Sequence, residues 1–315
     1  MNQTQKNMTI AVTGGAGFIG TALLKALAEQ GFYVRALENR TPVYTHKNIT
    51  VIKGNLTNTN ALQELVQGAD VVVHGAGLIA ARRGGDYYKV NTEGTRRIAQ
   101  ISAYEKVAKF LLISSLSARE FELSHYGNSK KKAEHTLRSV PNLAWDALRP
   151  PAVYGPGDMQ FLPLMKMVKK GTVLLPAGHN ARASMIYVDD LASAILHWVK
   201  NATPTGTAYE LDDGTEGGYL WQDVIAEAAK TLGAQPRYIA LPKVAVYAVS
   251  YITWLAELAL QRTPQLAPEK ARQLCHTDWV CRDHSLQKAI GWVPQVKCAQ
   301  GIPSTIKWYQ QQGLI

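Results

Sequence analysis

The segment T-G-G-A-G-F-I-G at Thr13 to Gly20 narrows the choice of fold more than any other part of the chain. It follows a strand-like run, Thr9 to Thr13, and leads into a helical pattern through Thr21 to Gln30. Gly14 permits a tight strand-to-helix turn, Gly17 lets the backbone approach a pyrophosphate, and Gly20 permits close packing of helix on sheet. Phe18 and Ile19 lead into the helix, whose N-terminus presents unpaired N–H groups and a positive dipole end to phosphates. A glycine-rich turn alone is a weak signal, but one set between a first strand and a first helix predicts dinucleotide binding.

The surrounding pattern agrees. Apolar runs of strand length stand at Thr9 to Thr13, Tyr33 to Leu37, Thr50 to Ile52, Val71 to His74, Phe110 to Ser114 and Ala144 to Leu148, separated by segments with helical spacing. Runs rich in Val and Ile without polar alternation suit strands covered on both faces, so the expected fold is α/β, a doubly wound parallel sheet of the Rossmann type. With 315 residues, 46% of them hydrophobic, the chain has ample material for such a core and a smaller C-terminal substrate-binding portion. The boundaries expected are 1–155 for the dinucleotide-binding domain, with 184–212 packing alongside it, and 156–315 for the substrate-binding portion.

Glu38 lies about twenty residues beyond the glycine turn, where a carboxylate grips the ribose diol of NAD. Arg35 and Arg40 flank it, and an arginine pairing with a 2′-phosphate is the NADP alternative. The reading favours NAD. Further on, S-H-Y-G-N-S-K places Tyr126 and Lys130 four residues apart in a pattern that reads as helix from Ser124 to Arg138, so both project from one face. A phenol near an ammonium and a cationic nicotinamide ring is drawn toward phenolate, which makes Tyr126 a candidate general acid/base. The preceding strand ends in serines, where a hydroxyl can bond a reacting carbonyl. Ser115 is the choice, with Ser114 and Ser117 as rivals.

Composition excludes other classes. The start, M-N-Q-T-Q-K-N, carries one basic residue and no apolar run, unlike a secretory signal, so a cytoplasmic location is expected and order begins near Met8. Cys275, Cys281 and Cys298 lack metal-ligand spacing and read as reduced thiols, with no metal. The net charge of +10 favours anionic ligands, but its basic clusters are dispersed and not interleaved with aromatics, so no nucleic-acid partner is expected.

Taken with G-N-L at Gly54 to Leu56, V-V-V-H-G-A-G at Val71 to Gly77, V-N-T-E-G-T at Val90 to Thr95, L-R-P-P-A-V-Y-G-P-G-D at Leu148 to Asp158 and I-Y-V-D-D-L-A at Ile186 to Ala192, the glycine turn and Y-G-N-S-K run nearly the length of the chain. In these the sequence resembles the extended short-chain dehydrogenase/reductases, which include nucleotide-sugar epimerases and 3β-hydroxysteroid dehydrogenase-like enzymes. The resemblance implies adenine contacts at Asn55 and Leu56, cofactor contacts at Ala76 and Gly77, a structural or relay role for Asn91, and nicotinamide-side contacts at Pro150 and Val153. It also implies that Lys130 bonds the nicotinamide ribose, and it is the ground for expecting a homodimer. Asn55 departs from the usual aspartate. The short interval from Ser115 to Tyr126 speaks against a sugar epimerase, and Leu116-Ser117 in place of an Asp-Glu pair speaks against a dehydratase.

The expected activity is therefore an NAD(P)-dependent oxidoreductase acting on the alcohol or ketone of an apolar, steroid- or isoprenoid-like small molecule. A nucleotide-sugar 4-epimerase and a non-catalytic nucleotide-binding subunit are the alternatives. Arg182 is a candidate anchor for a substrate diphosphate. Asp189 and Asp190 are read as the cap and first-turn charge of a helix Leu191 to Lys200. Helices are also expected at Phe161 to Lys170, Leu220 to Leu232 and Val244 to Leu260. The last carries one charge, Glu257, and sets Tyr247, Tyr251, Trp254 and Leu258 on one stripe. It reads first as a packed helix, with a peripheral membrane contact through 244–260 as the alternative and a full span less favoured.

Overall fold

The computed structural model describes residues 8–260 and 266–315. The expectation for the N-terminal M-N-Q-T-Q-K-N stretch falls outside them. The chain runs β1 (Thr9–Thr13), α1 (Phe18–Glu29), β2 (Tyr33–Glu38), β3 (Ile49–Lys53), α2 (Thr59–Val66), β4 (Val71–His74) and α3 (Gly84–Tyr87). A π-helical turn (Tyr88–Thr92) leads into α4 (Glu93–Tyr104), β5 (Lys109–Ile113), α5 (His125–Arg138) and β6 (Trp145–Arg149). Next come β7 (Ala152–Tyr154), α6 (Leu162–Lys169), β8 (Thr172–Leu175), β9 (Arg182–Ala183), β10 (Met185–Tyr187), α7 (Val188–Asn201) and β11 (Ala208–Glu210). The chain ends with β12 (Tyr219–Leu220), α8 (Trp221–Leu232), β13 (Arg237–Ala240), α9 (Lys243–Ala259), α10 (Pro268–Leu274), β14 (Asp278–Trp279), α11 (Ser285–Ile290) and α12 (Cys298–Gln311).

Two compact units emerge, the first made of the described residues within Met1–Pro150, Leu191–Glu210 and Asp283–Val293. Its sheet has the order β3-β2-β1-β4-β5-β6-β11, and every neighbouring pair is parallel. The strand order reverses between β1 and β4, the topological switch point at which open α/β sheets bind ligands. Leu62, Leu65, Ile98 and Leu137 of the covering helices bury against Val72, Phe110 and Ala147, which explains why these strands carry apolar runs without alternation. A polar brace joins sheet to helix: Asp146 on β6 accepts from the Trp198 indole N–H (2.9 Å) and the Thr205 N–H (2.9 Å), and Lys109 Nζ donates to the Val199 carbonyl (3.2 Å).

The second unit, the described residues within Pro151–Asp190, Leu211–Arg282 and Pro294–Ile315, has a separate core. Tyr154, Met165, Val173, Ile225, Ile302 and Ile306 are its centre. Gly301 of α12 has no room for a side chain, since a Cβ there would lie 2.4 Å from the Tyr154 hydroxyl oxygen. A cavity of about 460 Å³ opens in this unit, walled by Phe161, Leu164, Met167, Trp221, Val246 and Trp279.

Several boundaries differ from expectation for local reasons. Helix α1 starts at Phe18 rather than Thr21, because Gly17 already stands at the N-cap with φ −80° and ψ 171°. Strand β5 stops at Ile113, since Ser114 turns its hydroxyl toward Glu134. Helix α7 begins at Val188, so Asp189 and Asp190 lie inside its first turn. Asp190 does not serve as its cap: it accepts from the N–H groups of Gln295 (3.0 Å) and Val296 (2.8 Å). The stripe expected on α9 also divides. Tyr247 and Trp254 are half-buried, while Tyr251 and Leu258 are exposed, because the packed side of the helix follows Val246, Ser250 and Thr253. Among the described residues, no helix is long and apolar enough to cross a membrane.

Candidate active site

The glycine turn is shaped by steric necessity. Gly14 has φ +80°, and a Cβ there would come within 2.6 Å of the Ala76 nitrogen. A Cβ on Gly20 would lie 2.0 Å from the Gly14 carbonyl oxygen. Gly17 is exposed, and its N–H closes the turn on the Gly14 carbonyl (3.0 Å). Helix α1 then begins at Phe18, Ile19 and Gly20 with no side-chain cap and no carboxylate in its first turn. By contrast, Asn58 caps α2 and Ser124 caps α5. An uncapped helix start behind a turn whose one side chain is the Ala16 methyl leaves donors and space for an anion.

Glu38 ends β2, buried, with its carboxylate accepting from the Val43 N–H (2.9 Å) and paired with Lys53. The Lys53 hydrogen bond, then the Val43 N–H, hold this carboxyl below its ordinary range. Arg35 is not placed for a phosphate, because its guanidinium donates to the Glu64 carbonyl (3.2 Å) and the Gln67 carbonyl in and beyond the end of α2. Arg40 is exposed. Asn55 spends its side-chain oxygen in a local turn, accepting from the Thr57 N–H (2.8 Å) and hydroxyl (2.7 Å). Leu56 packs over Gly94, where an added Cβ would meet it at 2.6 Å.

Three of the expected residues meet at the other end of the switch point. Ser115 stands close enough to Tyr126 for its hydroxyl to favour the phenolate. Lys130, one turn along α5, is buried and donates to the Ile113 carbonyl (2.8 Å). A Cβ on Gly77 would lie 3.0 Å from Asn91 Oδ1 and 3.3 Å from Lys130 Nζ, so Gly77, Asn91 and Lys130 form one cluster. Burial raises the Tyr126 phenol above its ordinary value, and the Ser115 hydroxyl opposes the rise. Burial also lowers Lys130 to about 8, against the pull of Glu134. The expected draw of Tyr126 toward phenolate by its neighbouring ammonium is therefore not what dominates; desolvation is stronger. Pro150 is buried, its carbonyl accepting from the Leu116 N–H (2.9 Å).

The rival serines are occupied differently. Ser114 donates to Glu134 (2.6 Å), whose carboxylate also takes two hydrogen bonds from Arg149 (2.9 and 2.6 Å). The Ser117 N–H donates to the Ser115 hydroxyl (3.2 Å), which starts a short 3₁₀ turn. Ser115 is the strand-end serine whose side chain meets Tyr126.

Sequence reading missed the relay behind the cluster. The Ala76 N–H donates to the Thr13 hydroxyl (3.2 Å), which lies 2.6 Å from His74 Nδ1; His74 Nε2 lies 3.0 Å from the Thr95 hydroxyl, which donates to the Asn91 carbonyl (2.6 Å). Each hydroxyl has one proton to give, so a neutral His74 carrying its proton on Nε2 satisfies the whole chain. Burial, then the Lys130 charge, lowers His74 to about 3, which agrees with the neutral ring. Asn91 extends the chain: its amide donates to the Leu78 carbonyl (3.0 Å) and Ser129 hydroxyl (2.9 Å), and Ser129 donates to the Tyr126 carbonyl (2.7 Å). The one available signal was the polar residue closing V-V-V-H.

Two expected residues belong to the second unit. Val153 pairs with Ile186 between β7 and β10. Arg182 donates to the carbonyls of Gly217 (2.6 Å) and Gly218 (2.9 Å), so its guanidinium holds a turn instead of standing open to an anion. The three cysteines are buried and none forms a disulfide. Among the described residues no cluster of metal-ligating side chains occurs.

The family model for the NAD dependent epimerase/dehydratase family matches residues 10–211. The chain belongs to that family. This NAD-dependent epimerase/dehydratase family member is thus an extended short-chain dehydrogenase/reductase, an NAD-dependent oxidoreductase. The family member is 36% identical over 314 residues to the ceramide reductase of Caulobacter vibrioides, covering 98% of this chain and 97% of that one. It is 26% identical to the 2-alkyl-3-oxoalkanoate reductase of Stenotrophomonas maltophilia, covering 94% and 97%. Its fold matches the UDP-glucose 4-epimerase of Thermotoga maritima with a TM-score of 0.75 at 19% identity, covering 97% and 99%.

Proposed function

We propose that this protein is a ketone reductase, working with NADH on a long-chain lipid ketone. The observation that carries the reading is Tyr126 one turn before a buried Lys130 on α5, with Lys130 clustered against Gly77 and Asn91 beyond the end of β4 in a doubly wound sheet. The first unit would serve as the dinucleotide-binding domain and the second as the substrate-binding portion.

The residues fit the cofactor. The uncapped start of α1 and the glycine turn at Gly14 and Gly17, with Gly20 in the first turn of the helix, would hold the pyrophosphate. Glu38, kept ionised by Lys53 and the Val43 N–H, would accept the ribose diol and repel a 2′-phosphate, which favours NAD over NADP. Lys130, Asn91 and Gly77 would line the nicotinamide side, with Ala76 and Pro150 beside them. When bound, the reduced cofactor supplies the hydride. Tyr126 supplies the proton: a phenol whose burial keeps it protonated at neutral pH suits donation to a carbonyl oxygen as it gains negative charge. Ser115 would hydrogen-bond the same oxygen and fix its position. The relay through His74 and Asn91 keeps α5 in place, so Tyr126 meets the carbonyl without reorganisation.

Two features support a lipid. The second unit holds a cavity of about 460 Å³ with Phe161, Leu164, Met167 and Trp221 in its wall, suited to acyl chains. The relative at 36% identity over nearly the full length is a ceramide reductase, which supports an N-acyl amino ketone as the substrate class. The epimerase alternative loses its expected diphosphate anchor, since Arg182 is engaged by Gly217 and Gly218.

The test is NADH consumption with a long-chain N-acyl amino ketone, compared between the wild type and Tyr126→Phe. The variant is expected to bind NADH normally while turnover falls by about 10² to 10⁴-fold. Unchanged turnover would sink the assignment of Tyr126, and a wild type inert toward every long-chain ketone would sink the substrate class.

A further inference from the structure

Helix α9 is apolar on its uncovered side as well as at Val246, Tyr247 and Trp254, which it turns inward. Its packed side carries Ser250, fully buried, with Thr253, whose hydroxyl bonds the backbone carbonyls of Val249 (2.9 Å) and Leu266 (3.2 Å), and half-buried Glu257. From Val244 to Ala259, every exposed position is Val, Ala, Tyr, Ile or Leu. Val244 is 78% exposed, Ile252 67% and Leu255 57%. At 3.6 residues per turn these positions cover roughly half of the helix circumference. A surface helix ordinarily presents charged and polar residues on its outer side. Contiguous apolar surface of this size marks an interaction site.

We propose that α9 is a membrane-surface docking helix, lying in the interface of an anionic lipid bilayer with its outer face in the acyl boundary. Three observations select this occupant. The exposed charges on β13, α9 and α10 are all cationic: Arg237, Lys243, Lys270 and Arg272. Anionic headgroups neutralise such a rim, whereas a second copy docked through the same face would set these cations against one another. The helix has 17 residues, about 26 Å at 1.5 Å per residue, short of a hydrocarbon core of about 30 Å, which fits a helix that lies on a bilayer rather than through it. Finally, Val246 on the packed side of α9 lines the apolar cavity, and half-exposed Leu174 and Leu274 stand in the same wall. The cavity wall therefore runs from the packed side of α9 to apolar side chains that reach the surface. The purpose of the docking rests on the lipid-ketone reading; the docking itself does not.

The full chain is expected to cosediment with phosphatidylglycerol/phosphatidylcholine vesicles and to bind pure phosphatidylcholine vesicles more weakly. The double variant Ile252→Glu/Leu255→Glu should bind anionic vesicles at least about tenfold less, because it sets two carboxylates in the apolar boundary. Both side chains are exposed, so its circular dichroism and thermal midpoint should match the wild type. Its turnover of a short-chain, water-soluble ketone should also match. A wild type that stays in the supernatant with anionic vesicles, or a double variant that sediments as the wild type does, overturns the proposal. So does a wild-type dimer that the double variant converts to monomer without any vesicle binding. Vesicle binding requires no turnover: if the wild type binds vesicles yet reduces no ketone, the reductase reading fails and the docking surface stands.

Discussion

His74 makes the fold sensitive to acid. In the folded protein its ring titrates at about 3, against 6.5 for the free side chain, chiefly because the ring is buried. Between those values the unfolded chain binds a proton that the folded chain refuses, so the stability is present above pH 6.5 and is lost as pH falls from there toward 3. At pH 5 the gap of 1.5 from the unfolded value, at about 1.4 kcal/mol per pH, amounts to about 2 kcal/mol relative to neutral pH. The comparison is urea unfolding, followed by tryptophan fluorescence at pH 7 and pH 5, of the wild type and His74→Gln. Glutamine retains a neutral N–H donor that can reach toward Thr95 and cannot be protonated in this range. The variant should lose about 1 to 3 kcal/mol at pH 7 from the imperfect relay, but its further loss at pH 5 should be about 2 kcal/mol smaller than that of the wild type. Other titrating groups are common to both proteins and cancel. Equal acid sensitivity, or a His74 ring resonance titrating near 6.5 in the folded protein, would refute the neutral buried relay.

Three further outcomes follow from the site. Ser115→Ala should lower kcat about 10²-fold, whereas Ser114→Ala should cost about 1 to 3 kcal/mol of stability through Glu134 and leave turnover per folded molecule nearly unchanged; steady-state kinetics and thermal melts separate the two. Because Lys130 titrates at about 8 in the cofactor-free protein, NADH affinity should weaken as pH rises through that value, and Lys130→Arg should move the fall out of the accessible range. Gly20→Ala forces a Cβ against the Gly14 carbonyl and should weaken NADH binding about tenfold or more, measured by fluorescence titration.

The features legible in the sequence are those governed by local patterning. Strands β1 and β4 are found at Thr9–Thr13 and Val71–His74, as their apolar runs indicate. The Tyr126 and Lys130 spacing does place both on one face of α5, because four residues is close to one turn. The relay was not legible, since its bonds join residues 61 and 21 positions apart, from Thr13 to His74 and from His74 to Thr95. The π-helical turn at Tyr88–Thr92, which presents Asn91 to Leu78 and Ser129, has no counterpart in hydrophobic periodicity. Nor could spacing tell which arginine is committed elsewhere: Arg35 is engaged by carbonyls at and beyond the end of α2, contacts set by tertiary packing. On α9, composition revealed an apolar helix, but only the packing partners reveal which apolar residues are left uncovered.

The first unit takes its residues from three separated stretches, and this sets a schedule for its birth on the ribosome. Six of its seven sheet strands are made by Arg149, but the seventh arrives at Ala208–Glu210, and the Asn201 amide that bonds the Ile290 carbonyl (3.2 Å) waits longer still. At synthesis rates of about 5–20 residues per second, the interval from Arg149 to Val293 lasts on the order of ten seconds. Until Ala208–Glu210 is made, the edge of β6 is an unpaired template, open to the wrong strand. Nascent-chain truncations ending between Arg149 and Ala208 should therefore depend on chaperones more strongly than the finished protein does.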